Sequence, residues 1–206
     1  GCGLPTEYAM IKEGDTVVDL GSGAGNDCFV ARHLTGQQGK VIGVDMTASM
    51  IELARRNAAK LGLDNVEFRL GEIEFLLIQN NEADVIVSNC VFNLVPDKSK
   101  AWAETYRILK SGGHFSISDI VTYSAIPEGL RKEAALYAGC VSGALVKEEY
   151  LQLIVEAGFV NVRIQKEIRN DLPESLLDKY LTDTELEAYK SGKGGMASIT
   201  VYGEKP

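Results

Sequence analysis

Residues 16–26 read TVVDLGSGAGN: a β-branched run, an acid at Asp19, then glycines at alternate positions 21, 23 and 25. Valines and threonine favour an extended chain. So many glycines are wanted where the backbone turns tightly and a ligand must come close to it. A helical pattern follows in NDCFVARHL, with Phe29, Val30 and Leu34 placed to share one face, and KVIGVD (40–45) is a second strand ending in Asp45. Strand, turn, helix, strand is the unit that sets two strands parallel through a right-handed crossover, which restricts the chain to α/β architectures.

The alternation continues. TASMIELARRNAAKLG predicts a helix with Thr47 as N-cap, Met50, Ile51, Ala54, Ala58 and Leu61 on one side, and Gly62 as its stop. NVEFRL, ADVIVS and GHFSISDI are further strands, with the helix SKAWAETYRILK before the last, Asp97 as its cap and SGG as its terminator. Continuous apolar strands of this kind are covered by helices on both faces. Beyond residue 120 the rhythm changes: a small-residue-rich helical stretch to Leu145, the helix KEEYLQLIVEAGF, the strand VNVRIQKE, two short helices in LPESLLDKYLTDTELEAYKSG and a closing strand MASITVYGEK. No repeat or linker interrupts the chain. We expect one domain over 1–206, with 1–15 a mobile N-terminal segment and 126–145 and 171–192 helical insertions over the sheet.

A pyrophosphate-binding G-x-G-x-x-G would need glycine at 26, where Asn26 stands, so the G-x-G-x-G spacing fits S-adenosylmethionine better than a dinucleotide. Asp45, about 20 residues past the loop, is the acid expected to accept hydrogen bonds from ribose hydroxyls. A net charge of −8 with no basic stripe argues against a nucleic-acid partner. No apolar run approaches the roughly 20 residues that span a bilayer, so the chain is expected to be cytoplasmic and not membrane-bound. Four cysteines, Cys2, Cys28, Cys90 and Cys140, form neither a C-x-x-C pair nor a disulfide framework. Cys28 reads as a small hydrophobe on the first helix. Cys90, where ADVIVS gives way to a loop, is equally a buried thiol or a functional one. The small neighbours of Cys140 suit either a close-approaching segment or helix packing. Glycine-flanked Cys2 is poorly explained by core packing.

The stretches GCGLP, VVDLGSGAGNDCFVAR, GKVIGVDMT, NVEFRLGEIE, SNCVFNLVPDK, SISDIV and YAGCVSGALVKEEYL together resemble the arsenite methyltransferases, a group of class I S-adenosylmethionine-dependent methyltransferases. The resemblance implies a Rossmann-like fold: a seven-stranded, mostly parallel sheet, helices on both faces, and a last strand that is antiparallel beside the sixth. It implies cofactor contacts from Asp19, Gly21, Ser22, Gly23 and Gly25 of the loop, Asp45 and Met46 at ribose and adenine, Glu72, Ile73 and Glu74 flanking the adenine, and Asn89 orienting the methionine portion. It also implies Cys2, Cys90 and Cys140 as ligands of trivalent arsenic; a fourth family cysteine, upstream of GCGLP, has no counterpart in these residues.

Chemistry agrees with that set. Trivalent arsenic is soft, and thiolates are its matching ligands. Three sulfurs leave the arsenic lone pair at the apex of a pyramid, where it can attack a sulfonium methyl and leave S-adenosylhomocysteine. Such a nucleophile has no proton to lose, so positioning matters more than acid–base help. His33 and His114 accordingly read as structural or surface residues. Transfer raises arsenic to the pentavalent state, which a cysteine pair or an external thiol reductant must reverse. The expected partners are therefore thiol-conjugated arsenic and a thiol reductant system. Two other readings remain: a methyltransferase for a lipid or quinone-like acceptor, and a metalloid-binding protein without turnover.

Overall fold

The apolar runs of the first hundred residues form one side of a seven-stranded sheet, and all but the edge strand there bury side chains on both faces. The computed structural model describes residues 3–126, 130–132, 139–170, 172, 174–191 and 193–206. Its strands are β1 (Thr16–Leu20), β2 (Lys40–Asp45), β3 (Val66–Leu70), β4 (Ala83–Asn89), β5 (Leu109–Thr122), β6 (Val160–Asn170) and β7 (Met196–Glu204), in the order β3-β2-β1-β4-β5-β7-β6. The pairs from β3 to β5 are parallel, while β7 runs antiparallel to both β5 and β6. The expected seven strands and antiparallel last strand are present.

The helices are α1 (Pro5–Tyr8), α2 (Asn26–Thr35), α3 (Ala48–Leu61), α4 (Lys98–Ile108), α5 (Lys147–Glu156), α6 (Glu174–Tyr180) and α7 (Asp183–Lys190). Because alternate strand residues point to opposite faces, Val17, Val41, Val85 and Val87 meet α2 and α3, whereas Val18, Ile42 and Ile86 face α4 and α5. The second face is aromatic: Trp102 lies 4.3 Å from Phe92, 5.2 Å from Phe115 and 5.9 Å from Tyr150, centroid to centroid. Each such pair adds roughly 0.5–1.5 kcal/mol beyond the area it buries. No helix among the described residues is long and apolar enough to cross a membrane.

Several local expectations are corrected. On α2 the buried face is Cys28, Ala31 and Thr35, while Val30 and Leu34 are exposed. The Thr35 hydroxyl donates to the Asp15 carbonyl, which fixes the helix rotation with a polar residue inward. On α3, Ile51, Ala54 and Ala58 are buried but Met50 and Leu61 are not, and Thr47 caps without a side-chain bond. α4 ends at Ile108, before SGG: residues 109–113 join β5, where Leu109 pairs with Ala83, Gly112 N–H donates to the Lys205 carbonyl and Lys205 N–H to that of Gly113. Asp97 does cap α4, accepting from Lys100 N–H at 3.0 Å. Of the stretch 126–145, residues 127–129 and 133–138 lie outside the described residues.

Residues 3–15 run along the sheet from the carboxyl ends of β4 and β5 toward the start of β1. Asn89 Nδ2 donates to the Gly3 carbonyl (2.9 Å), Gln165 Nε2 to that of Tyr8 (2.9 Å), and His114 Nε2 meets that of Ala9 (2.6 Å).

Candidate active site

Next to β1 the strand order reverses, with β2 on one side and β4 on the other, and a cavity of about 350 Å³ opens beyond their carboxyl ends. That is the place where open α/β sheets bind ligands, and the volume suits a small molecule. Gly21 forms its floor. Its φ is +79°, and a Cβ there would overlap the Val91 side chain, so the glycine admits protein as well as ligand. Asp45 is fixed at the wall: one carboxylate oxygen accepts from Gly23 N–H (2.9 Å), the other from Thr47 N–H (2.8 Å). A carboxylate has lone pairs beyond those two, so Asp45 remains able to accept from a diol. Glu72, Ile73 and Glu74 supply another wall from the 3-10 turn after β3, with Ile73 buried and Met46 exposed at the rim. Thr47, Val91, Leu94, Val95 and Pro96 complete the lining.

Of the residues expected at the cofactor, Gly21, Asp45, Met46, Glu72, Ile73 and Glu74 line this cavity; Asp19, Ser22, Gly23, Gly25 and Asn89 do not. They support it instead. Gly25, with φ +94°, sits at the N-cap of α2, where a Cβ would press on the rings of Phe68 and Phe29. Ser22 is buried, with no partner for its hydroxyl among the described residues. Asp19 is buried beneath the loop and its pKa is pushed up to about 7, first by burial and then by the neighbouring charge of Asp27. Cys28 donates its S–H to Asp19 Oδ2 (3.3 Å), and burial raises its thiol pKa well above the ordinary value. Cys28 is thus a core residue. Asn89 bridges Gly3 and Asp27. The wall from Val91 to Pro96 was missed by sequence reasoning; its only signal is an apolar loop directly after Cys90.

The thiols sit beyond the other side of β4. Cys90 ends the strand in a left-handed conformation (φ +63°) and its N–H donates to the Ser118 carbonyl (2.8 Å). It is held in a disulfide, whereas Cys28 and Cys140 keep their thiols. Cys90 therefore cannot ligate arsenic until two electrons have reduced it. Cys140 lies half-buried in a 3-10 turn, Gly139–Val141, packed on the cluster that contains Ile120. Burial pushes its thiol pKa up, and the charge of Asp119 adds to this. Ser118 and Ile120 are two residues apart on β5, so Cys90 and Cys140 border one strand. Cys2 lies outside the described residues; its neighbour Gly3 is tethered by Asn89, the residue before Cys90. No cluster of three or more His, Cys, Asp or Glu fit for a metal ion occurs among the described residues.

A family profile described as a methyltransferase domain matches residues 11–158. The chain belongs to the methyltransferase-domain family, and its fold is that of the class I S-adenosylmethionine methyltransferases. Within that class it is a homologue of the arsenite methyltransferases. It is 41% identical over 206 residues to one from Halobacterium salinarum, covering 100% of this chain and 50% of the relative. It is 40% identical over 173 residues to the human enzyme, covering 80% of this chain and 46% of that one. The chain thus spans about half the length of these curated relatives. A solved arsenic(III) S-adenosylmethionine methyltransferase from Chlamydomonas reinhardtii superposes with a TM-score of 0.81 at 34% identity, over 100% of this chain and 67% of that one.

Proposed function

We propose that this chain transfers methyl groups from S-adenosylmethionine to trivalent arsenic held by the thiolates of Cys90, Cys140 and Cys2. The observation that carries the reading is the position of two cysteines along one strand edge beside a cavity suited to the cofactor. A generic methyltransferase has no need of thiols there.

The cofactor supplies a methyl group made electrophilic by its sulfonium. Asp45 and Ile73 suit its ribose and adenine. Arsenic enters by ligand exchange: each cysteine forms a sulfur–arsenic bond and its proton leaves with the displaced hydroxide or small thiol. The thiolates then present the arsenic lone pair. As the carbon–arsenic bond forms, the carbon–sulfonium bond breaks and arsenic is oxidised by two electrons. A cysteine pair returns those electrons by closing a disulfide, and an external thiol reopens it at the cost of its own oxidation. A reducing compartment such as the cytoplasm suits that cycle.

The test is incubation with methyl-labelled S-adenosylmethionine, arsenite and glutathione. Label recovered in methylated arsenic is the expected result. Arsenite binding without label transfer points to sequestration, and label in an organic acceptor alone removes arsenic from the reading.

A further inference from the structure

The segment that leaves Cys90 faces two ways. Val91, Leu94 and Val95 form one wall of the cofactor cavity. Asn93, in the middle of the 3-10 turn Phe92–Leu94, turns inward and is only 2% exposed. Its Nδ2 donates to the Ile120 carbonyl at 2.7 Å. Ile120 shares a buried cluster with Val141, Ala144 and Met196, and Cys140 packs against that cluster. On the same side, Gly143 lies so close to the Asn93 carbonyl oxygen that a Cβ at position 143 would overlap it. Lys98 locks the arrangement: its Nζ donates to the carbonyls of Asn93 (3.3 Å) and Val95 (3.0 Å) and stands 3.5 Å from where that Cβ would be.

A polar side chain is an expensive way to fill this space. Asn93 Oδ1 has no partner among the described residues, and a buried unpaired acceptor costs roughly 1–3 kcal/mol. An apolar residue of similar size avoids that cost but cannot hold the Ile120 carbonyl. What the amide achieves is a continuous contact path from the cofactor wall, through one turn, to the strand and loop that carry Cys140. Coupling between two sites needs such a path and a differential fit at each end.

We propose that Asn93 is a positioning residue: filling the cavity against Val91, Leu94 and Val95 fixes the 92–94 turn, and through Ile120 and Gly143 the turn fixes the loop that presents Cys140 to arsenic. Cofactor and arsenic then bind cooperatively, with the cofactor preparing the thiol site. The inference rests on the reading of Cys140 as an arsenic ligand. It adds that the ligand is placed from the cofactor side.

The experiment measures arsenite binding by calorimetry on protein reduced with a phosphine, with and without saturating S-adenosylhomocysteine. In the unaltered chain the product raises arsenite affinity about tenfold, and arsenite raises product affinity by the same factor, as linkage requires. In Asn93→Ala and Lys98→Met, product affinity without arsenite stays within about twofold and the tenfold ratio falls to about one. Gly143→Ala forces a Cβ against the Asn93 backbone carbonyl, so the loop and the 92–94 turn must part. It raises the KM for arsenite about tenfold and brings the affinity ratio to about one. A role confined to holding the fold lowers the melting temperature and weakens both ligands together. A ratio of one in the unaltered chain, or a folded Asn93→Ala or Gly143→Ala that keeps the ratio, overturns the inference and leaves the arsenic reading standing. No arsenite binding at all, with or without the product, overturns both.

Discussion

The half of the sheet built from β1, β2 and β3 and the half built from β5, β6 and β7 reach their sites by different routes. On the first side the wall residues follow directly from strand ends: Gly21 after β1, Asp45 at the tip of β2, and Glu72 to Glu74 just past β3. Backbone N–H groups of the same loops hold Asp45. On the second side the pieces come from far apart in the chain. Among the described residues, Gly3 is tied to Asn89 of β4, Cys90 to Ser118 of β5, and Cys140 packs on the cluster that contains Ile120. A site made by local turns survives change elsewhere. A site assembled from distant segments depends on every tether.

The sharpest separation of the two halves comes from Cys140→Ser. Turnover of arsenite falls about a thousandfold, equivalent to about 4 kcal/mol, with product affinity almost unchanged. Labelled-methyl assays beside calorimetry measure both, and turnover that persists in the variant breaks the division at once.

Asp19→Asn tests the first half through pH. The folded state holds this proton up to about 7, while the unfolded chain releases it near the ordinary 3.8. Between those values the native state binds more protons, so stability declines as pH rises. Over the whole window the loss is roughly 4 kcal/mol. The asparagine variant lacks that decline, leaving only the background from Asp119, which burial also raises to about 7. Urea unfolding at a series of pH values reads the difference, and parallel curves for the two proteins contradict it.

A smaller effect is expected from Asp45→Ala. Product affinity falls about tenfold to a hundredfold with the loss of charge-assisted hydrogen bonds, while arsenite binding in the absence of cofactor is unaffected. A matching fall in arsenite affinity means that the two halves share more than the turn at Asn93.

These differences also explain what the amino-acid order reveals. The cofactor half is legible because each part is local: a glycine run, an acid at a strand end, and an apolar residue two positions beyond Gly71. The α2 face was misjudged because hydrophobic periodicity ignores the Thr35 hydroxyl, which binds a carbonyl and draws its own face inward. SGG was read as a stop because glycine usually ends helices, but here the chain ends pair and turn it into ladder. Val91 left only the signal of an apolar loop after Cys90 and Asn93 left none, since their roles depend on segments distant in the chain. The cysteines were found by resemblance; spacing alone leaves Cys90 and Cys140 indistinguishable from core thiols such as Cys28.

The place of β7 bears on how the chain assembles. Among the described residues β6 pairs with no strand but β7, and β7 follows it in the sequence while lying between it and β5 in space. During synthesis β6 therefore waits as an unpartnered edge until the residues after Gly195 have left the ribosome. Only their insertion zips β5, β7 and β6 together, a late and non-local step of the slow kind. Until then the strand that borders Cys90 and Cys140 is itself incomplete, so the nascent chain can shape its glycine loop before it can bring those cysteines into place.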